Sequence, residues 1–224
     1  MPDWEQAGFA VVPDVIPVTE IDLLGVTLVR SSIARSRAGA RHLLAEPTVA
    51  RLARDPRLAS IASQALGHEA IPFRATLFDK SQRANWLVVW HQDTALPLRA
   101  RREFPGWGPW SNKAGVHYAH APAEALSRVI ALRLHLDDSR GDNGPLRVLP
   151  GTHRMGVLTD AQIQDLLHRA TPVECLTTAG GVVAMRPLLV HSSSKVVAPF
   201  SRRVIHIEYA ASVHVGEGLE LAIA

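Results

Sequence analysis

From Ile71 onward the chain is a succession of short apolar runs cut by Gly, Pro, Asn and Asp, and this texture constrains the fold most. Residues 71–78, 86–91, 129–136, 146–149, 181–185 and 204–209 read as strands, being rich in β-branched and aromatic residues and bounded by turn formers. One good helical segment, near residues 159–168, interrupts them. A doubly wound sheet needs a helix between successive strands, so this pattern predicts an antiparallel sandwich or barrel.

The first seventy residues differ. A short helical turn before Gly8, a strand over residues 9–12, a helix from Thr19 to about Ser32 and another opened by Asp55-Pro56 and closed by Gly67 are expected. Arg30, Arg35, Arg37 and Arg41 read as solvated. The expected organisation is a single domain over residues 1–224. Residues 1–70 form a mostly helical elaboration and residues 71–212 a β core. The segment from Thr94 to Pro122 is long, poorly periodic and rich in Pro, Gly, Trp and basic residues, and is expected to be an ordered lid or pocket wall.

Apolar residues make up 47% and charged residues 20% of the 224, a balance that supports a large core and excludes a disordered chain. The 24 Lys and Arg exceed the 21 Asp and Glu only slightly, and no dense basic run with interleaved aromatics appears, so no nucleic-acid partner is expected. Cys175 is the single cysteine, which excludes an internal disulfide and a thiolate metal cluster. The first residues lack the basic-then-apolar order of a signal peptide, and no apolar run approaches a membrane span. A cytoplasmic protein acting on a small molecule, with no membrane partner, is the expectation.

His91-Gln92-Asp93 ends a strand-like run, and residues i and i+2 of a strand project to one face, roughly 6–7 Å apart. Both side chains can close on one ion if the strand end bends. An isolated His-x-Asp is more often a core histidine beside a turn aspartate, so the motif takes its meaning from companions. His191, a hundred residues on, follows an apolar approach, and an antiparallel double sheet can bring it alongside. Two imidazoles and a carboxylate suit iron(II) in an open site and also suit zinc.

The pair Arg202-Arg203 favours iron. An arginine eleven residues past the distal histidine can sit on the next strand and hold the far carboxylate of 2-oxoglutarate, whose keto acid end chelates the metal. A zinc hydrolase has no use for it. Apolar alternation groups Arg203 with Ile205, Ile207 and Tyr209 and favours it over Arg202 as the inward-facing member.

At this point the chain resembles the phytanoyl-CoA dioxygenase family, iron(II)- and 2-oxoglutarate-dependent oxygenases with a double-stranded β-helix (jelly-roll, cupin-like) core. The resemblance spans about Arg74 to Ala211. It rests on His91-Gln92-Asp93, on Asn143-Gly144-Pro145-Leu146 continuing to Leu149-Pro150-Gly151-Thr152-His153, and on His191 with Arg202. It implies that His91, Asp93 and His191 bind iron(II), that Arg202 anchors 2-oxoglutarate, and that Ser193 and Lys80 assist. Ser192 stands where Gly usually follows the histidine. Halogenating relatives replace the carboxylate ligand with a small residue, so Asp93 favours hydroxylation or a related oxidation of a C–H bond with dioxygen.

Trp107, Trp110, Lys113, His117 and Tyr118 are candidates for the substrate wall, although the tryptophans serve equally well as pins holding their loop to the core. Arg99, Arg101 and Arg102 could attract an acidic substrate but match a solvated face as well. His153 is expected to tie down a turn. His120, His135 and His206 are expected as pocket, core or surface histidines. Two rivals stand beside the oxygenase: a zinc hydrolase on a similar barrel, and a cupin-like binding module without catalysis.

Overall fold

A computed structural model of the chain describes residues 4–30, 36, 39–82, 84–197, 199–216 and 218–224. Ser32, Arg35 and Arg37 lie outside the described residues. The strands are β1 (Phe9–Val12), β2 (Gly39–Ala40), β3 (Ile71–Lys80), β4 (Val88–His91), β5 (Ala95–Leu98), β6 (Trp110–Lys113), β7 (Val116–His120), β8 (Val129–His135), β9 (Leu146–Val148), β10 (Val173–Cys175), β11 (Val182–Met185), β12 (His191–Ser193), β13 (Arg202–Ala210), β14 (His214–Gly216) and β15 (Leu219–Glu220). The helices are α1 (Trp4–Ala7), α2 (Val18–Arg30), α3 (Pro47–Leu52), α4 (Pro56–Leu66), α5 (Ala123–Ser127) and α6 (Asp160–Leu167).

Two antiparallel sheets form the jelly roll, one in the order β1-β11-β8-β13-β3-β2 and one in the order β10-β9-β12-β4. The six-stranded sheet is covered on both faces. On its outer face Ile205, Ile207 and Tyr209 of β13, Ile130, Leu132 and Leu134 of β8 and Ala75 and Leu77 of β3 pack against Ile21, Leu24 and Leu28 of α2 and Leu58 and Ala62 of α4. On its inner face Ala131, Val183 and Met185 meet Leu146, Val148 and Cys175 of the smaller sheet. Burying a Leu- or Ile-sized side chain contributes roughly 1.5–3 kcal/mol, so these interlocked layers fix which residues point inward. Burial also pushes the Cys175 thiol up to about 12, which leaves it a core residue and no nucleophile.

The helix ends follow their local chemistry. Asp55 Oδ1 accepts from Arg57 N at 2.9 Å, Pro56 opens α4, and Gly67 closes it with φ 70°. Thr159 and Gln162 make a reciprocal capping box on α6. Elements before residue 71 and after residue 212 are built into the same layers. Strands β1 and β2 flank the larger sheet, and Val215, Leu219 and Leu221 pack with Phe73, Leu96 and Trp107.

Residues 94–122 are ordered, and more regular than the sequence predicts. They contain a three-stranded antiparallel sheet in the order β5-β7-β6. Pro97 lies within β5, and the Gly108-Pro109 pair and the Ala114-Gly115 turn bound β6 and keep it short, which hides the period of two.

Candidate metal and cosubstrate site

Pairing of β12 with β4 sets His191 directly opposite His91. The chain bends just past β4, where Asp93 N donates to Pro187 O at 2.9 Å, tying the carboxylate to the segment that leads into His191. Gln92 points away from the ligand atoms and clamps the bend. Its Nε2 donates to Leu188 O at 2.7 Å and Gly156 O at 2.9 Å, and its Oε1 accepts from Leu158 N at 2.8 Å. The middle residue of the motif therefore fixes the register between the two ligand-bearing segments.

One ligand atom from each of His91, Asp93 and His191 lies within 4.8 Å of the others. The Nε2 atoms of His91 and His191 stand 3.7 and 3.5 Å from the Asp93 carboxylate oxygens. Each imidazole donates Nδ1–H to the carbonyl two residues earlier, Val89 O at 2.8 Å and Leu189 O at 2.9 Å. This fixes the tautomer that turns the Nε2 lone pair toward Asp93, the usual second contact of a metal-binding histidine. Burial pushes His191 down to about 4, so it is neutral at physiological pH. Burial is the largest influence on His91 and opposes its protonation, but the neighbouring Asp93 carboxylate and the Val89 carbonyl together outweigh it and raise its pKa. Asp93 feels burial in the opposite direction, and His191 foremost, with His91 and His206, holds it well below the usual carboxylate range. A carboxylate charged across the working pH range and two oriented imidazoles form a donor set that fits a divalent ion.

The same cavity, of about 330 Å³, runs from this cluster to a second one. Arg202 pairs with Lys80 across β13 and β3, so both project from the inner face. They converge on Ser193 of β12. Its hydroxyl accepts from Lys80 Nζ at 2.8 Å and from Arg202 Nη2 at 3.1 Å, and donates to Gly144 O at 2.8 Å. Every hydrogen-bonding position of the hydroxyl is used. Lys80 Nζ also donates to Ser194 O at 2.7 Å, and Arg202 Nε to Asn143 O at 3.3 Å. Gly144 sits at φ 68°, and a Cβ there would lie 2.4 Å from Ser194 O, so only glycine lets this turn close on the serine strand. The Asn143-Gly144-Pro145 turn thus helps build the charged cluster.

Arg202 Nη1 is buried without a partner, and neither cation has a carboxylate partner among the described residues. Burial first, then Arg202 and Arg133, pushes Lys80 down to about 7. Burial and Arg133 push Arg202 to about 9. Uncompensated buried charges cost several kcal/mol each. The arrangement is relieved when a dianion's carboxylate enters between them, which is the fit expected for 2-oxoglutarate.

Between the clusters stand residues that strand reading left unassigned. Arg133 of β8 is buried, donates from Nη1 to His206 Nδ1 at 3.1 Å and has no partner at Nε. Its guanidinium carbon lies 5.3 Å from the Phe78 ring centroid. Arg74 pairs with buried Glu208 and donates to Ala95 O at 3.2 Å. An arginine within the otherwise apolar run of β8 was itself the available signal, because unpaired arginine is rarely buried.

Arg202 lies in the cavity, whereas Arg203 lies on the opposite face, bonded to Asp137 through Nε at 2.9 Å and Nη2 at 2.6 Å. Alternation favoured Arg203 because it assumed that apolar residues mark the barrel interior. Here the apolar face of β13 lies under the helices and the polar face lines the cavity. Of the five residues expected in the substrate wall, Lys113 lines the cavity. Trp107 and Trp110 pack in the cluster around Leu96 and Leu98 and pin their segment to the core. His117 lies outside the lining, and Tyr118 is buried behind it, its ring 4.8 Å from Lys113 Nζ. The wall instead includes Thr94, His120, Arg74, His206 and Arg41, the last exposed yet on the rim. Arg99 and Arg101 pair with Glu220 and Glu103 away from the cavity. His153 packs against Gly8, His135 is buried, and Ser192 Oγ is buried without a partner.

The chain matches the phytanoyl-CoA dioxygenase (PhyH) family over residues 4–204 and belongs to it. It is 27% identical over 207 residues to L-proline trans-4-hydroxylase of Streptomyces griseoviridis, covering 80% of this chain and 68% of that protein. It is 25% identical over 187 residues to ectoine dioxygenase of Sphingopyxis alaskensis, covering 74% of this chain and 54%, about half, of that enzyme. The fold is shared with HygX of Streptomyces hygroscopicus, solved with nickel and 2-oxoglutarate, at a TM-score of 0.66 and 16% identity over 92% of this chain and 84% of that one. Among the described residues, no helix is long and apolar enough to cross a membrane.

Proposed function

We propose that this protein is an iron(II)- and 2-oxoglutarate-dependent oxygenase that hydroxylates, or otherwise oxidises, a C–H bond of a small molecule. The carrying observation is that one cavity joins the His91–Asp93–His191 cluster to the Lys80–Arg202–Ser193 cluster. In this reading the two imidazole Nε2 atoms and the Asp93 carboxylate hold iron(II). Arg202 Nη1, with Lys80 and Ser193, receives the distal carboxylate of 2-oxoglutarate. Iron(II) in such a site activates dioxygen against a chelated 2-oxo acid, so that one oxygen atom goes to the substrate and the other to succinate, with loss of carbon dioxide.

The protein's share is placement and exclusion of water. The Nδ1 contacts hold both imidazoles in the ligating tautomer, Gln92 and the Pro187 carbonyl hold Asp93 against them, and Ser193 orients both cations. Phe78, Val88 and Leu146 supply apolar lining between the charged ends. A zinc hydrolase would require a further group to activate water. Asp93 is the only carboxylate among the described cavity-lining residues, and the cationic cluster would have no task.

Succinate formation from 2-oxoglutarate should require iron(II) and disappear in His91→Ala. Retained zinc, with no 2-oxoglutarate binding, would instead support the hydrolase. Binding of 2-oxoglutarate with no turnover across a broad substrate screen would support the non-catalytic module.

A further inference from the structure

The cavity carries more positive charge than its cosubstrate can neutralise. Arg41, Arg74, Lys80, Lys113, Arg133 and Arg202 line it, against the single carboxylate of Asp93. Lys80 and Arg202 are assigned to the distal carboxylate of 2-oxoglutarate, and Arg74 is neutralised by Glu208. Asp93 and the two carboxylates of 2-oxoglutarate are offset by the ion, Lys80 and Arg202. Arg133 and the rim pair, Arg41 and Lys113, remain in excess, and none of the three has a carboxylate partner among the described residues.

The rim pair is built as well as charged. Lys113 ends β6 immediately before a tight turn in which Ala114 takes φ 50° and Gly115 φ 85°. Asn112 Oδ1 closes that turn by accepting from Gly115 N at 3.0 Å. Arg41 precedes His42, which takes φ 58° and meets Tyr118 Oη through Nε2 at 3.2 Å. The buried Tyr118 ring in turn backs Lys113 Nζ at 4.8 Å and the Arg74 guanidinium at 5.7 Å. His42, beside Arg41, and the side chain of Lys113 are joined through one buried tyrosine. Ala114 and Gly115 take the left-handed angles that a two-residue hairpin between β6 and β7 requires, which fixes where Lys113 stands. The left-handed φ of His42 costs of order 1–3 kcal/mol and is held by its bond to Tyr118.

We propose that the oxidised substrate carries an oxyanion group, a carboxylate or a phosphate or sulfate ester, held at the cavity mouth by Lys113 and Arg41 while its C–H end reaches the triad. This rests on the oxygenase reading. Charge-assisted contacts from two converging cations give the mouth its selectivity for anions over neutral analogues of the same shape. Arg133 adds positive potential from within.

The test uses the full chain loaded anaerobically with iron(II) and 2-oxoglutarate. The visible charge-transfer band of the chelate is read first, and its absence overturns the oxygenase reading and this inference with it. With the band present, inorganic sulfate is titrated in by calorimetry. One saturable site is expected, weakened tenfold or more in Lys113→Met and in Arg41→Met and unchanged in Arg99→Met, which removes an arginine outside the cavity. Failure to take up sulfate, equal binding by the rim variants, or loss of the band as sulfate binds at the anchor instead would each overturn the inference while leaving the oxygenase reading in place.

Discussion

The two ends of the cavity are built differently. At the inner end one serine hydroxyl bonds both Lys80 and Arg202, the turn at Gly144 closes on it, and the guanidinium and ammonium are 2% and 1% exposed. At the mouth Lys113 and Arg41 hold no carboxylate among the described residues, and their support is a tyrosine ring, a hairpin turn and the bond from His42 to that tyrosine. The inner socket is buried and leaves one donor, Arg202 Nη1, unpartnered. The rim cations stand nearer solvent, Arg41 exposed and Lys113 half-buried. Buried fixed donors contribute more per contact than solvent-screened ones, so substitutions inside should have larger effects than substitutions at the rim.

The largest effect belongs to the junction between the two ends. His91→Ala or Asp93→Ala should abolish iron-dependent succinate formation while the thermal transition and far-ultraviolet spectrum remain those of a folded chain. Measurable turnover in either variant would separate the triad from the chemistry.

Next comes the inner socket. Arg202→Met removes a charge-assisted contact worth about 1.5–3 kcal/mol, so the 2-oxoglutarate concentration for half-maximal rate should rise on the order of ten- to a hundredfold, with the rate at saturation largely retained. A shift of less than twofold would show that Lys80 alone holds the distal carboxylate.

The pH dependence of cosubstrate binding is smaller and has a fixed sign. Lys80, pushed down to about 7 by burial, Arg202 and Arg133, is charged below that value and neutral above it. A dianion favours the ammonium form. Calorimetry should therefore show weaker 2-oxoglutarate binding as pH rises through 7, with proton uptake on binding near pH 8, and Lys80→Met should flatten both trends. Binding that tightens as pH rises through 7 would place the carboxylate away from this lysine.

The smallest effect is on the outer face. Arg203→Ala breaks a half-exposed bidentate pair with Asp137, which costs about 1 kcal/mol of stability or less by urea titration, and leaves 2-oxoglutarate binding unchanged. If binding weakens instead, the two faces of β13 have been exchanged.

These same differences explain what was legible in the sequence. An antiparallel sandwich or barrel could be read from the repeated short strands, with the jelly roll implied by the resemblance, and the pairing of His91 with Asp93 from the strand period. Their meeting with His191 was not a local property, because it depends on β12 lying beside β4; an antiparallel double sheet made it possible, and the resemblance implied it. Alternation along β13 pointed to Arg203, which lies away from the cavity, because both faces are buried, one by helices and the other around the cavity. Arg133 stood unassigned within an otherwise apolar run and His206 was expected only as a pocket, core or surface histidine, although a charged or polar residue there was itself the clue. The rim was least legible. Its cations sit on short polar strands and a turn, and the tyrosine that backs Lys113 is recognisable only once β6 and β7 are paired.

The central claim is tested most directly by a crystal structure of the protein with manganese(II), as a redox-quiet substitute for iron, and 2-oxoglutarate. One ion is expected, bound by Nε2 of His91, Nε2 of His191 and the carboxylate of Asp93, with the distal carboxylate of 2-oxoglutarate on Arg202 Nη1. An ion bound without His191, or a distal carboxylate that bypasses Arg202, would contradict it.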